Sequence, residues 1–465
     1  MISLSLREVL SSARLWLAAG PLMWLTATML TIVFSLRSLA ETASEEELGL
    51  MDQYDATLLA LVVVAALGAT AVAITQAAIR TRQRTAFLVI GGLPPAAAAS
   101  HFTRLVLGVC VAASAAGVAA GWILAPAASR FIAWASSGRP GLTGRADVHA
   151  LVGAFVITFG LAFIASTRGA AIARSVEPIE ALKQLPFRPQ ARPRWRSKVG
   201  LLCGIGALMT GALTIYLPGA RTFTGTPIEA ANAGVTAAAV TTALLGVFFA
   251  LTAPNYCPFL IRAWTVFIPE RRMPALFLGR RGAAYQAGRS LESFNVVLIG
   301  ALLTGSVFSI YLARSALDPA GRGWVEARDI SGAVLAAVPL LLAMTGSTMT
   351  VLATARSRVI EARVLRLSGA TSRQVLVAGF TEAFILAATA TAVALAGVAL
   401  VGLCTGLGLA RVVDGPGWPE TLGFDPPVWL APLGVTVFGL VLVTAATLPS
   451  LIRGLHTAGA PSPPV

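Results

Sequence analysis

The sequence predicts an all-α polytopic membrane protein of about ten transmembrane helices, arranged as two parallel pseudo-repeats of four helices plus two extra central helices. Three observations lead there. The 465-residue chain is 56% hydrophobic and only 12% charged, against about 25% charged in soluble domains. Its apolar residues gather in ten runs near the roughly 20 residues that a hydrocarbon core of about 30 Å asks of a helix. Backbone in lipid must satisfy its own hydrogen bonds, and runs of this length do so as helices rather than barrel strands.

The spans are expected at 15–36, 56–79, 105–126, 151–171, 199–217, 231–253, 295–312, 330–352, 382–407 and 428–448. The first follows Arg7 and Arg14 and contains Pro21, and its 22 apolar residues exceed a signal-peptide core; Leu39-Ala40 and Ala43-Ser44 make only a weak cleavage site. It reads as a retained anchor. With the amino terminus inside, 26 of the 35 Lys and Arg fall on the inner side and 14 of the 21 acids on the outer side. That asymmetry obeys the positive-inside rule and places both termini in the cytoplasm. The net charge of +14 comes from arginines scattered beside spans, not from one basic face, so nucleic-acid binding is not expected. The use of 33 Arg and 2 Lys beside many Ala points to a GC-rich bacterium and its cytoplasmic membrane.

Cys110, Cys203, Cys257 and Cys404 lie in or beside different spans without paired spacing, which fits neither a disulfide framework nor a zinc site. They read as small apolar packing residues. His101, His149 and His456 are too dispersed for a metal or relay role. No metal or cofactor is expected in this chain.

The chain repeats itself once. Leu4–Leu15 is amphipathic and runs into the first span, as Leu276–Leu291 does before the seventh; such segments lie in the membrane interface. The spans that follow end alike, in Val33-Phe34-Ser35 and Val307-Phe308-Ser309. The predicted organisation is residues 1–183 as a first four-helix repeat, 184–198 as an extended Pro/Arg-rich linker, 199–253 as two extra helices, 254–455 as the second repeat, and 456–465 as a disordered tail. Both repeats start on the same side, so they are related by an axis along the membrane normal.

Two inner turns separate second from third span in each repeat. The second runs Glu361-Ala-Arg-Val-Leu-Arg-Leu-Ser-Gly-Ala-Thr-Ser-Arg-Gln-Val375. Leu365 and Leu367 are expected to anchor a short interfacial helix, with Arg363 and Arg366 projecting outward, and Gly369 to end it in a left-handed conformation. The first turn keeps Arg80, Arg82 and Arg84 and the glycines Gly91 and Gly92, but lacks the glutamate and the later basic residues.

The run from Glu361 to Val375 resembles the signature of FtsX-like ABC permeases, through Glu361, Val364, Leu365, Arg366, Gly369, Ala370, Thr371, Arg373, Gln374 and Val375. Glu382 matches a glutamate common there, and Glu177-Pro-Ile-Glu-Ala-Leu-Lys183 resembles the tail that follows such domains. Ten spans with two such domains look like the BceB kind of permease. The resemblance implies a relay: a separate ATPase dimer, one subunit for each turn and carrying the ATP and Mg, moves the spans through Arg80, Arg82, Arg84, Gly91, Gly92, Glu361, Arg363, Leu365, Arg366, Gly369, Ala370, Thr371 and Arg373. The chain has no Gly-x-x-x-x-Gly-Lys-[Ser/Thr] loop and by that test is not itself an ATPase.

Two packing features are expected between the halves. Gly117 and Gly121 in span 3, and Gly402 and Gly406 in span 9, form small-residue patches suited to a shared central interface. Phe102-Thr103-Arg104 aligns with Phe380-Thr381-Glu382, which sets Arg104 and Glu382 at equivalent positions and proposes a charge pair across the axis. The outer loops are short, 37–55 and 314–329, too small to fold a gripping domain. Glu41, Glu45, Glu46, Glu47, Asp52 and Asp55 in the first of them form an acidic surface. The expected function is therefore a permease subunit that exports or extracts an amphiphilic peptide, lipid or hydrophobic antibiotic. The alternative is a signalling permease that passes ATPase strokes to a wall hydrolase or sensor kinase without transport. An ion-coupled transporter lacks the acidic mid-span residues it needs.

Overall fold

The computed structural model describes residues 13–40, 45–137, 144–174, 194–217, 227–267, 273–289, 292–315 and 364–410, with isolated residues between 337 and 362 and between 430 and 437. The expected spans 330–352 and 428–448, the segment Leu4–Leu15 up to residue 12, the Glu177–Lys183 tail and residues 456–465 lie wholly or mostly outside them. Among the described residues the fold is all-helical, without a strand. Its helices are α1 (Ala13–Ala40), α2 (Glu45–Ile90), α3 (Pro95–Ser137), α4 (Val148–Arg174), α5 (Arg194–Tyr216), α6 (Pro227–Trp264), α7 (Pro274–Arg289), α8 (Glu292–Ser315) and α9 (Ser372–Leu409). Among the described residues six stretches are long and apolar enough to cross a membrane, on α1, α3, α4, α5, α6 and α9; α2 and α8 carry shorter apolar stretches, Val62–Thr75 and Phe294–Ile310. This is a membrane-embedded helical protein.

Three expectations about boundaries change. The loop expected at 37–55 is mostly helix, because α1 runs to Ala40 and α2 starts at Glu45. The acidic run Glu45-Glu46-Glu47 opens α2. The linker predicted as extended to residue 198 is helical from Arg194. The sixth span does not stop at 253, since α6 continues through Pro254 and Pro258 to Trp264. Pro254 has no N–H for the Ala250 carbonyl, and Asn295 of α8 supplies the missing donor, Nδ2 to Ala250 O at 3.2 Å. A neighbouring helix thus satisfies the group that the proline frees.

Packing follows small residues. α1 and α3 cross where Gly117 and Gly121 lie: a Cβ on Gly117 would stand 2.3 Å from the Trp24 carbonyl oxygen, and one on Gly121 2.6 Å from Thr31 Cβ. Thr28 spans the crossing by donating to the Gly117 carbonyl at 3.0 Å. α8 and α9 cross in the same manner with the glycine on the other helix: a Cβ on Gly305 of α8 would stand 2.7 Å from Val398 of α9. Gly117 and Gly121 therefore pack on the first helix of their own half, not on the other half. Gly402 and Gly406 are buried within α9.

The two halves meet through α2, α6 and α8. One continuous core joins Val62, Ala66 and Ala69 of α2 with Leu298 and Leu303 of α8, Cys257 and Ile261 of α6, and Ile385 of α9. Gly68 receives Ile299 at 2.7 Å from where its Cβ would be, and Gly346 meets Ala69 and Val296, both at 3.1 Å.

Candidate functional site

The two turns are built from the same backbone hydrogen bonds. After α2, the N–H of Gly91 donates to Phe87 O (2.9 Å), that of Gly92 to Val89 O (3.1 Å) and that of Leu93 to Leu88 O (3.0 Å). Before α9, Ser368 donates to Val364 O, Gly369 to Arg366 O and Ala370 to Leu365 O, each at 3.0 Å. These are two Schellman closures in the same register. Their pivots, Gly92 (φ 93°) and Gly369 (φ 96°), hold the left-handed conformation that only glycine adopts cheaply. The expected role of Gly369 as helix terminator is the one it occupies, and Gly92 shares it.

The next helix starts from each turn by different chemistry. Thr371 caps α9 in a reciprocal box: Gln374 N–H donates to its Oγ1 at 3.3 Å and its own N–H donates to Gln374 Oε1 at 2.9 Å. The Gly-Ala-Thr-x-x-Gln spelling is thus a stop-and-restart signal, with glycine closing one helix and threonine and glutamine opening the next. On the other side Pro94 and Pro95 do the same work, Pro95 as the first helical residue with its fixed φ. Pro94 O accepts from Ala98 N at 3.1 Å as Thr371 O accepts from Val375 N at 3.1 Å.

The turns also share a surface. Phe87 and Ile90 are 62% and 55% exposed, and Val364 and Leu367, at the corresponding positions, 59% and 84%. Each pair is spaced i, i+3 on one face of its last helical turn. Leu367 is therefore an outward residue, not the expected anchor, while Leu365 and Arg366 are half-buried. The sequence signal for the pair is two apolar residues three apart just ahead of a terminating glycine. Gly91, Thr371 and Arg373 are exposed and Ala370 half-buried. Arg80, Arg82 and Arg84 lie on α2, whereas Glu361 and Arg363 lie outside the described residues. From Arg80 to Ile90 the helix rises about 15 Å, which sets the apolar tip at the end of α2, beyond the basic residues.

The expected Arg104–Glu382 relation is not the one the turns impose. Counting from Gly92 and Gly369, Glu382 corresponds to Leu105, and both are 9% exposed. The alignment on Phe102 and Phe380 is one residue out: Phe102 is 3% exposed and Phe380 49%. Arg104 is exposed, whereas Glu382 lies against α7, its Oε2 2.7 Å from where a Gly282 Cβ would be. Gly279 brings α7 equally close to Thr381. Helix α7 is thereby locked onto the start of α9, about two to three turns beyond the Thr371 cap.

Among the described residues no three His, Cys, Asp or Glu side chains converge on a point that could hold a metal, and the four cysteines are free. No protein-family model matches this chain, and no curated protein matches it in sequence.

Proposed function

We propose that this chain is the permease subunit of an ABC transporter, with ten spans in two parallel four-helix repeats around two central helices and both termini in the bacterial cytoplasm. A separate ATPase dimer, carrying ATP and Mg, would seat one subunit on each turn. The observation that supports this reading best is the twinned apolar tip, Phe87/Ile90 and Val364/Leu367, each on a rigid, glycine-closed turn. Large side chains left in water beyond the lipid edge mark a surface made for a partner, and burying one is worth roughly 1.5–3 kcal/mol. Two matched tips suit a dimeric partner. Rigid closure lets a push on the tip travel into α2 and α9 instead of being absorbed by the turn. Glu361, Arg363, Arg366 and Arg373 would steer the contact at the second tip, and Arg80, Arg82 and Arg84 at the first. The cargo would be an amphiphilic or hydrophobic molecule, such as a peptide, lipid or antibiotic, taken from the membrane.

Co-purification from native membranes tests the reading. The wild-type chain should bring down an ATP-hydrolysing companion. Val364→Asp with Leu367→Asp should cut its yield at least tenfold, and Gly369→Pro or Glu361→Arg should uncouple hydrolysis without blocking insertion. A companion recovered equally by every variant, or none at all, defeats it. Reconstitution in liposomes separates transport from a purely force-transmitting role.

A further inference from the structure

Helix α4 carries a stripe that no role above uses. Phe163, Ser166, Thr167, Ala170 and Arg174 follow at i, i+3/i+4, i+7 and i+11, one face of a helix about 16 Å long. With Thr103 of α3 opposite, they line an open groove of about 570 Å³, within the usual range for a small-ligand pocket. Polarity is graded along it. Arg174 stands at one end, in the last turn of α4, the hydroxyls of Thr103, Ser166 and Thr167 lie in the middle, and Phe163, 52% exposed, closes the other end. Among the described residues no carboxylate lines the groove.

The hydroxyls tell which groups can meet them. Ser166 donates to Phe163 O at 2.7 Å, Thr167 to Ile164 O at 2.7 Å and Thr103 to Ala99 O at 3.1 Å. Their protons are engaged, so they offer lone pairs to a donor, while Arg174 is the cation among the described lining residues. Beyond Phe163 the stripe continues as exposed Val156 and Val152, 59% and 56%, past Gly160, where an added Cβ would touch nothing. An apolar track thus leads directly out of a polar, cationic mouth.

We propose that this groove binds an anionic phospholipid whose headgroup carries hydroxyls. The phosphate sits on Arg174, headgroup hydroxyls donate to Thr103 and Thr167, and an acyl chain lies along Phe163, Gly160 and Val156. Basic pockets between helices at the membrane surface select such headgroups, and one arginine near the surface contributes about a fivefold preference.

Native mass spectrometry of the full delipidated chain, titrated with phosphatidylglycerol or phosphatidylcholine, tests this. Wild type should retain phosphatidylglycerol in preference to phosphatidylcholine. Arg174→Gln should lower that preference about fivefold, Arg174→Lys should keep most of it, and Arg130→Gln, at the far end of α3, should leave it unchanged. Ala170→Trp fills the groove without altering charge and should lower retention by itself. Millimolar inorganic phosphate should not displace the lipid. Equal retention of both lipids, indifference to Arg174→Gln and Ala170→Trp, a loss as large with Arg130→Gln, or displacement by phosphate alone would each overturn the proposal.

Discussion

Ala69 of α2 touches Gly346, a Cβ on the glycine falling 3.1 Å from the Ala69 Cβ. The two residues stand the same number of positions ahead of Gly92 and Gly369, the pivots of the two turns. Under the proposed two-repeat arrangement, a contact between corresponding residues marks where a pseudo-twofold axis would pass. A contact this tight is where a movement of one half against the other would be felt first.

A cross-link at this contact is the first prediction. Ala69→Cys with Gly346→Cys sets the two Cβ atoms 3.1 Å apart, just short of the roughly 3.5–4.5 Å that a disulfide spans, so a small separation of the helices admits the bond. Oxidation should join the halves, so that an engineered cut between them leaves one disulfide-linked species on a gel. Either single cysteine should not. Under the proposed function the locked protein should lose coupled activity and recover it on reduction, and full activity in the oxidised form would show that the axis does not move.

The turn glycines make a second prediction. An added Cβ at Gly92 or Gly369 meets no atom within 4 Å, so the cost of substitution is backbone strain alone. Gly92→Ala and Gly369→Ala should each destabilise by about 1–2 kcal/mol, read as a lowered Tm in detergent. Asn tolerates the left-handed region and should recover part of the loss at both sites. A similar loss for Asn and Ala would mean that the side chain, not φ, is at fault.

These glycines show what was legible in the sequence and why. A residue with one physical use, closing a helix at positive φ, announces itself, and both turns could be read. Register was harder. Phe102 and Phe380 look equivalent as letters, yet one is buried and the other exposed, and only the hydrogen bonds of the turns reveal the slip. Helix ends were misread where composition stood in for geometry. The basic cluster Arg80 to Arg84 marks the end of the apolar run but not of α2, because arginine is a good helix former. The glycine patch in α3 was visible, but its partner was not. Gly121 of α3 at the α1–α3 crossing and Gly305 of α8 at the α8–α9 crossing do the same work from opposite helices, an exchange that spacing within one helix cannot reveal.

That crossing supplies the third prediction. Gly117→Ala should destabilise by about 1–3 kcal/mol, since the new methyl would meet a backbone carbonyl of α1 at 2.3 Å, which cannot rotate away. Gly160→Ala should be neutral or stabilising by up to about 1 kcal/mol, the gain in helix propensity, because its surroundings are open. Thermal unfolding of the two variants in the same detergent compares them directly. A loss at Gly160 as large as that at Gly117 would rule out close packing as the cause.

The bond from Asn295 to Ala250 O exists because of Pro254, and that dependence can be measured. Asn295→Leu removes the donor and should cost roughly 0.6–1.7 kcal/mol, the range for hydrogen bonds between membrane helices. Pro254→Ala restores an N–H at position 254, which can reach the Ala250 carbonyl along the helix. In that background the asparagine is redundant, and Asn295→Leu should cost close to nothing. The coupling in a double-mutant cycle isolates the pair. An undiminished penalty in the alanine background would mean that Asn295 packs against α6 and does not serve the carbonyl, and α6 would then need another reason to run unbroken past its prolines.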